Sequence, residues 1–166
     1  MSPRVVLVGP PGAGKTTTGR RLAARLGLPL VDTDQLVERE SWRTVPEIFT
    51  TDGEAAFRAL EEAAVLAALD EDDAVVSLGG GAVLSARTRA ALAGHTVVFL
   101  AVGMAEGVRR TGMGAGRPLL AGINPRATFK ALLDARIGLY REVATVEVVT
   151  DGLAPAAVVD AVLAAL

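Results

Sequence analysis

Apolar residues along the chain fall into two alternating patterns. Short β-branched runs read as buried strands: Val5-Val6-Leu7-Val8, Leu30-Val31 running to Asp32-Thr33-Asp34, Ala74-Val75-Val76-Ser77, Thr96-Val97-Val98-Phe99-Leu100 and Val146-Glu147-Val148-Val149. Between them the spacing turns helical. Thr17 to Leu26 places Leu22 and Leu26 on one face, with Arg20, Arg21 and Arg25 mostly elsewhere. Residues 34–40 read as helix, and Val45 to Phe49 opens a further short turn, with Pro46 acceptable in a first turn. Asp52-Gly53-Glu54 begins a long helix to Leu69 that carries Phe57, Leu60, Ala64 and Leu66 inward. Further helices are predicted around Ser85 to Leu92, Met104 to Arg110, 125–142 and Pro155 to Leu166.

Strands alternating with helices in this way predict an α/β domain whose parallel sheet is covered on both faces. In such sheets ligands bind beyond the C-terminal ends of the strands. The loops that leave those ends are 9–16, 32–34 and 79–81. No repeat, linker or low-complexity segment interrupts the pattern, and 166 residues make one domain with room for a proper core.

The first of those loops, Gly9-Pro10-Pro11-Gly12-Ala13-Gly14-Lys15-Thr16, fits the phosphate-loop pattern G-x-x-x-x-G-K-S/T, between a strand and a helix as that motif requires. Glycines let backbone N–H groups curl around an anion, and the helix dipole adds partial positive charge there. The expected nucleotide contacts run from Gly12, Ala13 and Gly14 through Lys15, Thr16 and Thr17. Lys15 is placed to reach the β- and γ-phosphates, and the Thr16 hydroxyl to ligate Mg²⁺. All but two of the 17 basic residues are Arg, which makes a Lys at this position harder to attribute to chance.

Composition narrows the partners. The formal net charge of −2 offers no basic face for nucleic acid. The absence of cysteine removes disulfides, thiol nucleophiles and Cys-based zinc sites, and fits a cytoplasmic protein. Met1-Ser2-Pro3-Arg4 leads directly into the first strand, so no signal peptide is expected, and no apolar run approaches the ~18 residues of a membrane span.

Other clusters carry two readings each. Asp32 and Asp34, two apart in a stretch read as extended, point the same way; one is suited to a water of the Mg²⁺ shell and the other to taking a proton from an attacking hydroxyl. A helix N-cap at Asp34 or Thr33 accounts for them equally well. Gly79-Gly80-Gly81 either brings backbone against a ligand or makes a tight turn. Arg58 has Glu54 and Glu62 four residues away and Glu61 three away, the pattern of an exposed ion-pair network. Arg136, taken alone, reads as a surface charge. Arg117 lies in a glycine-punctuated segment suited to a mobile lid. His95, the only histidine, precedes a strand and reads as structural.

Taken together these residues are specific. The phosphate loop, Asp32-Thr33-Asp34, Ile48-Phe49 followed by Gly53-Glu54, Phe57-Arg58 and Glu61, then Leu78-Gly79-Gly80-Gly81 and Arg117-Pro118-Leu119-Leu120, closely resemble the shikimate kinase family over nearly the whole chain. The resemblance implies a nucleoside monophosphate kinase-like fold: a five-stranded parallel sheet in order 2-3-1-4-5, a substrate-binding part at about 33–61 and a lid at about 112–124. It implies transfer of the ATP γ-phosphoryl group to the 3-hydroxyl of shikimate, on the route to chorismate, by a monomer with Mg²⁺.

By position, Asp34 would contact the accepting hydroxyl. Arg58, Arg136 and Gly79, Gly80 and Gly81 would grip the carboxylate and ring hydroxyls, with Glu61 orienting Arg58 and Phe49 and Phe57 walling the ring. Lys15 and Arg117 would act on the transferring phosphoryl group, Arg110 and Pro155 would flank the adenine, and Thr16 and Asp32, the latter through water, would hold the metal. Trp42, Pro46 and Gly152-Leu153-Ala154 depart from the family pattern. Kinases of gluconate or of a nucleoside monophosphate, and a nucleotide-switched regulator without catalysis, are the rival readings. The Asp-Thr-Asp, Phe-Arg-x-x-Glu and triple-glycine set opposes the first two, and intact Lys15, Asp34 and Arg117 oppose the third.

Overall fold

The computed structural model describes residues 3–103, Glu106 and residues 125–166. The expected lid at 112–124, with Arg117 and the Arg117–Leu120 motif, lies outside these residues, as does Arg110 at the end of the expected helix 104–110.

Strands β1 (Val5–Val8), β2 (Leu30–Asp32), β3 (Val75–Ser77), β4 (Val97–Ala101) and β5 (Val146–Val149) form one parallel sheet in the order β2-β3-β1-β4-β5. Helices α1 (Lys15–Leu26), α2 (Thr33–Ser41), α3 (Val45–Asp52), α4 (Glu54–Leu69), α5 (Ala86–Leu92), α6 (Pro125–Val143) and α7 (Pro155–Ala165) connect and cover the strands. Because side chains alternate across a strand, β1 serves two cores at once. Val5 and Leu7 pack with Leu22 of α1 and with Val158, Val159 and Val162 of α7. Val6 and Val8 pack with Val65 and Leu69 of α4, Leu92 of α5 and Tyr140 of α6. A third, small cluster of Val37, Ile48 and Phe57 holds α2, α3 and α4 to one another.

Register decides where the loops emerge. Leu7 and Asp32 are both level with Ser77, so the segments that follow β1, β2 and β3 leave the same edge of the sheet close together.

Several expected elements shift, each for a local reason. The second strand stops at Asp32, whose side chain accepts the Gln35 N–H and caps α2. Asp34 is therefore helical rather than extended, and the cap is neither Asp34 nor Thr33. The segment opening at Val45 is a complete short helix: Thr44 accepts the Glu47 N–H, and Pro46 sits in the first turn, where a missing N–H costs nothing. Gly53, at φ 89° and ψ 171°, separates α3 from α4, so the run into Glu54 is a break between two helices. On α4 the buried stripe is Phe57, Glu61, Val65, Ala68 and Leu69; Leu60, expected inward, is 39% exposed. The apolar pattern misled there because the stripe contains a buried carboxylate.

Candidate active site

The phosphate loop closes onto α1 with Gly14 in the left-handed region at φ 84°, and no side chain caps the helix. That leaves the first-turn N–H groups of α1 facing the space above the strands, where a helix N-terminus favours an anion. Lys15 Nζ donates to the Gly9 and Pro10 carbonyls at 2.8 and 3.0 Å, which holds the ammonium over the loop. Thr16 Oγ1 lies 3.1 Å from Asp32 Oδ2, so the two proposed metal oxygens are adjacent.

A cavity of about 420 Å³ opens over these groups. Residues 12–18 form its floor, with Asp32, Asp34 and the stretch Ser77–Gly80 at one end and Leu153, Pro155, Val158 and Glu106 at the other. The phosphate loop, both aspartates, two of the three glycines and Pro155 thus share one space. Gly81, Arg58 and Glu61 line an adjoining cavity of about 320 Å³ with Ser85 and Thr88.

The glycine loop is the joint between the two cavities. A Cβ on Gly79 would stand 2.7 Å from both Asp34 Oδ1 and Glu61 Oε2. A Cβ on Gly81 would overlap the Arg58 guanidinium, and one on Gly80 would meet Pro11 of the phosphate loop at 3.1 Å. Glycine is required here for close approach. Thr33, fully buried, fixes the loop at its start by accepting the Gly79 N–H at 3.2 Å and donating to the Ser77 carbonyl at 3.4 Å.

Neither arginine is a free surface charge. Arg58 donates to Glu61 at 2.8 Å and to Glu54 at 3.3 Å, and its side chain is 21% exposed. Its guanidinium lies 5.2 Å from the Phe57 ring centroid and 5.9 Å from that of Phe49. Glu62, also expected as a partner of Arg58, instead accepts from Ser85 and pairs with Arg87. Arg136 is 4% exposed, which corrects its reading as a surface charge. Phe57 is buried in the small cluster with Ile48, so it backs Phe49 and Arg58 rather than facing open space.

Burial pushes the Glu61 carboxyl above the ordinary range, with Asp34 adding to that and Arg58 and Arg136 opposing it. Tyr140, which sequence reasoning missed, is fully buried; its hydroxyl donates to the Gly80 carbonyl at 2.5 Å, one helical turn after the buried Arg136. The available signal was its position one helical turn after Arg136 as the chain's only tyrosine. Ser77 was not singled out either, and Thr33 only as a possible helix cap and a member of the Asp-Thr-Asp motif.

A parallel sheet in this order, with a phosphate loop leaving the central strand and a second polar pocket beside it, defines a P-loop phosphotransferase of the nucleoside monophosphate kinase-like fold. Comparison with known proteins narrows the class. A family model described as Shikimate kinase matches residues 11–166. A shikimate kinase of Saccharopolyspora erythraea is 66% identical over 163 residues, 98% of this chain and 93% of that one. Another, of Rhodococcus jostii, is 55% identical over 166 residues, 100% of this chain and 99% of that one. Among solved structures, shikimate kinase from Acinetobacter baumannii in complex with shikimate superposes with a TM-score of 0.94 at 36% identity, covering 98% of this chain and 91% of that one. The chain belongs to the shikimate kinase family. It is accordingly an ATP-dependent small-molecule kinase of the route to chorismate and the aromatic amino acids.

Proposed function

We propose that the two joined cavities divide the work of phosphorylating shikimate at its 3-hydroxyl. The observation that carries this reading is the placement of Asp34: it lines the cavity floored by the phosphate loop and also lies against the glycine loop that borders Arg58 and Glu61. The backbone of Gly12 to Thr17 and the Lys15 ammonium take the β- and γ-phosphates of ATP. Arg58, Arg136 and Gly79–Gly81 hold the carboxylate and ring hydroxyls of shikimate, Glu61 orients Arg58, and Phe49, backed by Phe57, walls the ring.

The 3-hydroxyl oxygen then attacks the γ-phosphorus. Its bond to the bridging oxygen breaks, ADP leaves with that electron pair, and Asp34 accepts the hydroxyl proton. Lys15 stabilises charge on the transferring group. Arg117, from the lid we assign to about 112–124, supplies a second cation; Arg110 and Pro155 flank the adenine. Residues at about 33–61 form the substrate-binding part.

The donor set fits Mg²⁺. Thr16 and Asp32 offer two hard oxygens side by side, and among the described residues no cluster of three or more His, Cys, Asp or Glu forms a self-sufficient metal cage. That suits an ion which keeps several waters and shares the phosphates. When bound, the metal neutralises charge on the β- and γ-phosphates. The net charge of −2 fits an enzyme without nucleic-acid partners, and among the described residues no helix is long and apolar enough to cross a membrane. On this reading the enzyme acts in the cytoplasm as a monomer.

The test is ADP release with Mg²⁺ and with shikimate, gluconate or AMP offered separately. Shikimate-dependent turnover with negligible response to the other two is the expected result. Equal activity on all three acceptors, or on none, overturns the reading.

A further inference from the structure

The Tyr140 hydroxyl ties α6, the helix that also carries Arg136, to the glycine loop. It donates to the Gly80 carbonyl at 2.5 Å, and the buried Arg136 stands one helical turn earlier on α6. Its ring is fully buried and stacked on Phe99 of β4, with centroids 5.1 Å apart, so the phenol has a single station. On the other side of Gly80 stands Pro11, close enough that a Cβ would meet it at 3.1 Å. Gly80 is therefore seated between the Tyr140 hydroxyl and the nucleotide loop.

We infer that Tyr140 is a positioning residue for the acceptor site: its hydroxyl sets Arg136 and the glycine loop at a fixed separation, and so fixes the carboxylate grip relative to the phosphate loop. This rests on the reading of Arg136 and Gly79–Gly81 as the shikimate grip. Two properties suit the phenol to the task. Burial pushes its pKa up to about 12, so it keeps its proton and remains a donor. Its O–H also meets a carbonyl, which only accepts, so a single donor joins the Arg136-bearing helix to the loop. A buried Phe keeps the ring and its stacking but cannot make that bond.

The experiment is steady-state kinetics of Tyr140→Phe with shikimate and with its carboxamide analogue, alongside thermal unfolding. The expected result is a KM for shikimate raised roughly threefold to tenfold, the size of one lost hydrogen bond, with the KM for ATP within about twofold. Discrimination between acid and amide should fall, because a misplaced Arg136 grips the carboxylate poorly. A double-mutant cycle should show coupling: in an Arg136→Lys background, Tyr140→Phe should add far less than it does alone.

Phe99→Leu separates positioning from packing. It loosens the ring stack but keeps the hydroxyl, so it should lower Tm and leave the acid-to-amide ratio close to wild type. If Tyr140→Phe matches wild type in KM and discrimination, or raises the KM values of ATP and shikimate alike, the inference falls while the shikimate reading stands. Wild-type enzyme that neither binds nor phosphorylates shikimate overturns both.

Discussion

Glu61 Oε1 accepts a hydrogen bond from Arg58 Nη1 at 2.8 Å, yet the carboxylate is 3% exposed and the arginine side chain 21%. The pair is thus asymmetric. The acid is buried, and burial outweighs the pull of Arg58, leaving its pKa above the ordinary value. A carboxyl raised on folding takes up a proton before the unfolded chain does. The stability linked to Glu61 is therefore fully present below its unfolded pKa and lost as pH rises through the folded one. Acidification consequently relieves the buried charge while releasing Arg58 from its strongest partner. The KM for shikimate should climb on the acidic side at a pH above the ordinary glutamate range. Glu61→Gln should raise that KM roughly threefold to tenfold at neutral pH, since a charge-assisted bond becomes a neutral one. It should also flatten the acidic limb. An unchanged limb in Glu61→Gln would remove Glu61 from the substrate grip.

Lys15→Met should nearly abolish turnover and leave the fold intact, because the ammonium bonds loop carbonyls rather than packing in the core. One lost donor to a transferring group typically costs ~10²–10³ in rate. A loss smaller than about tenfold, measured by ADP release, contradicts the role given to Lys15.

Arg58 and Arg136 acting as a carboxylate clamp predict that Arg→Lys at either position raises the KM for shikimate about ten- to a hundredfold, with little change for ATP. The planar fork matched to a carboxylate is not reproduced by lysine, and a bond to a charged group contributes about 1.5–3 kcal/mol. Arg58→Lys is the cleaner variant, since Arg136 is 4% exposed and its replacement risks stranding a buried ammonium. Wild-type enzyme that treats shikimate and its carboxamide alike would end the clamp hypothesis.

The strands and the phosphate loop were legible in the chain because both are local: β-branched runs end in turn residues, and the motif needs only its flanks, whereas the strand order followed only from the family resemblance. Two things were not. The helical face of α4 was displaced because Glu61 occupies the buried stripe, and periodicity counts only apolar residues inward. Arg136 looked like a surface charge because its helix packs against distant chain: Tyr140, one turn on, bonds the Gly80 carbonyl across 60 residues. Local spacing carries no record of such a contact. Asp34 was recognised as a site residue for a partly mistaken reason. It reaches the cavity from the first turn of α2, while Asp32 serves as both cap and neighbour of Thr16.

Trp42 ends α2 with φ 60° and ψ 26° and is 91% exposed. The left-handed conformation costs a residue with a Cβ about 1–2 kcal/mol, and glycine is the usual occupant of such a helix end. Little packing offsets that cost here. Trp42→Gly should raise Tm by about 2–4 °C, the shift that ~1 kcal/mol brings in a domain of this size. A lowered Tm would mean that the indole packs on something in solution.

Asp34→Asn separates chemistry from architecture more sharply than the sequence allowed. With Asp32 accepting the Gln35 N–H, the capping role is already filled, and Asp34 is left in the first turn of α2. A carboxylate there is favoured by the helix dipole by about 0.3–1 kcal/mol, so its neutralisation should lower Tm by no more than a few degrees. If Asp34 takes the hydroxyl proton or orients that hydroxyl, kcat should fall ~10²-fold or more, since Asn cannot act as a base. Asp32→Asn is the natural companion. Asn caps a helix nearly as well as Asp, so α2 should persist, but the Mg²⁺ concentration needed for half-maximal rate should rise. The pair of variants thus divides two neighbouring carboxylates by readout: kcat for Asp34 and metal dependence for Asp32. Asp34→Asn retaining more than a tenth of the wild-type rate, with its Mg²⁺ dependence shifted instead, would show that the two roles have been assigned the wrong way round.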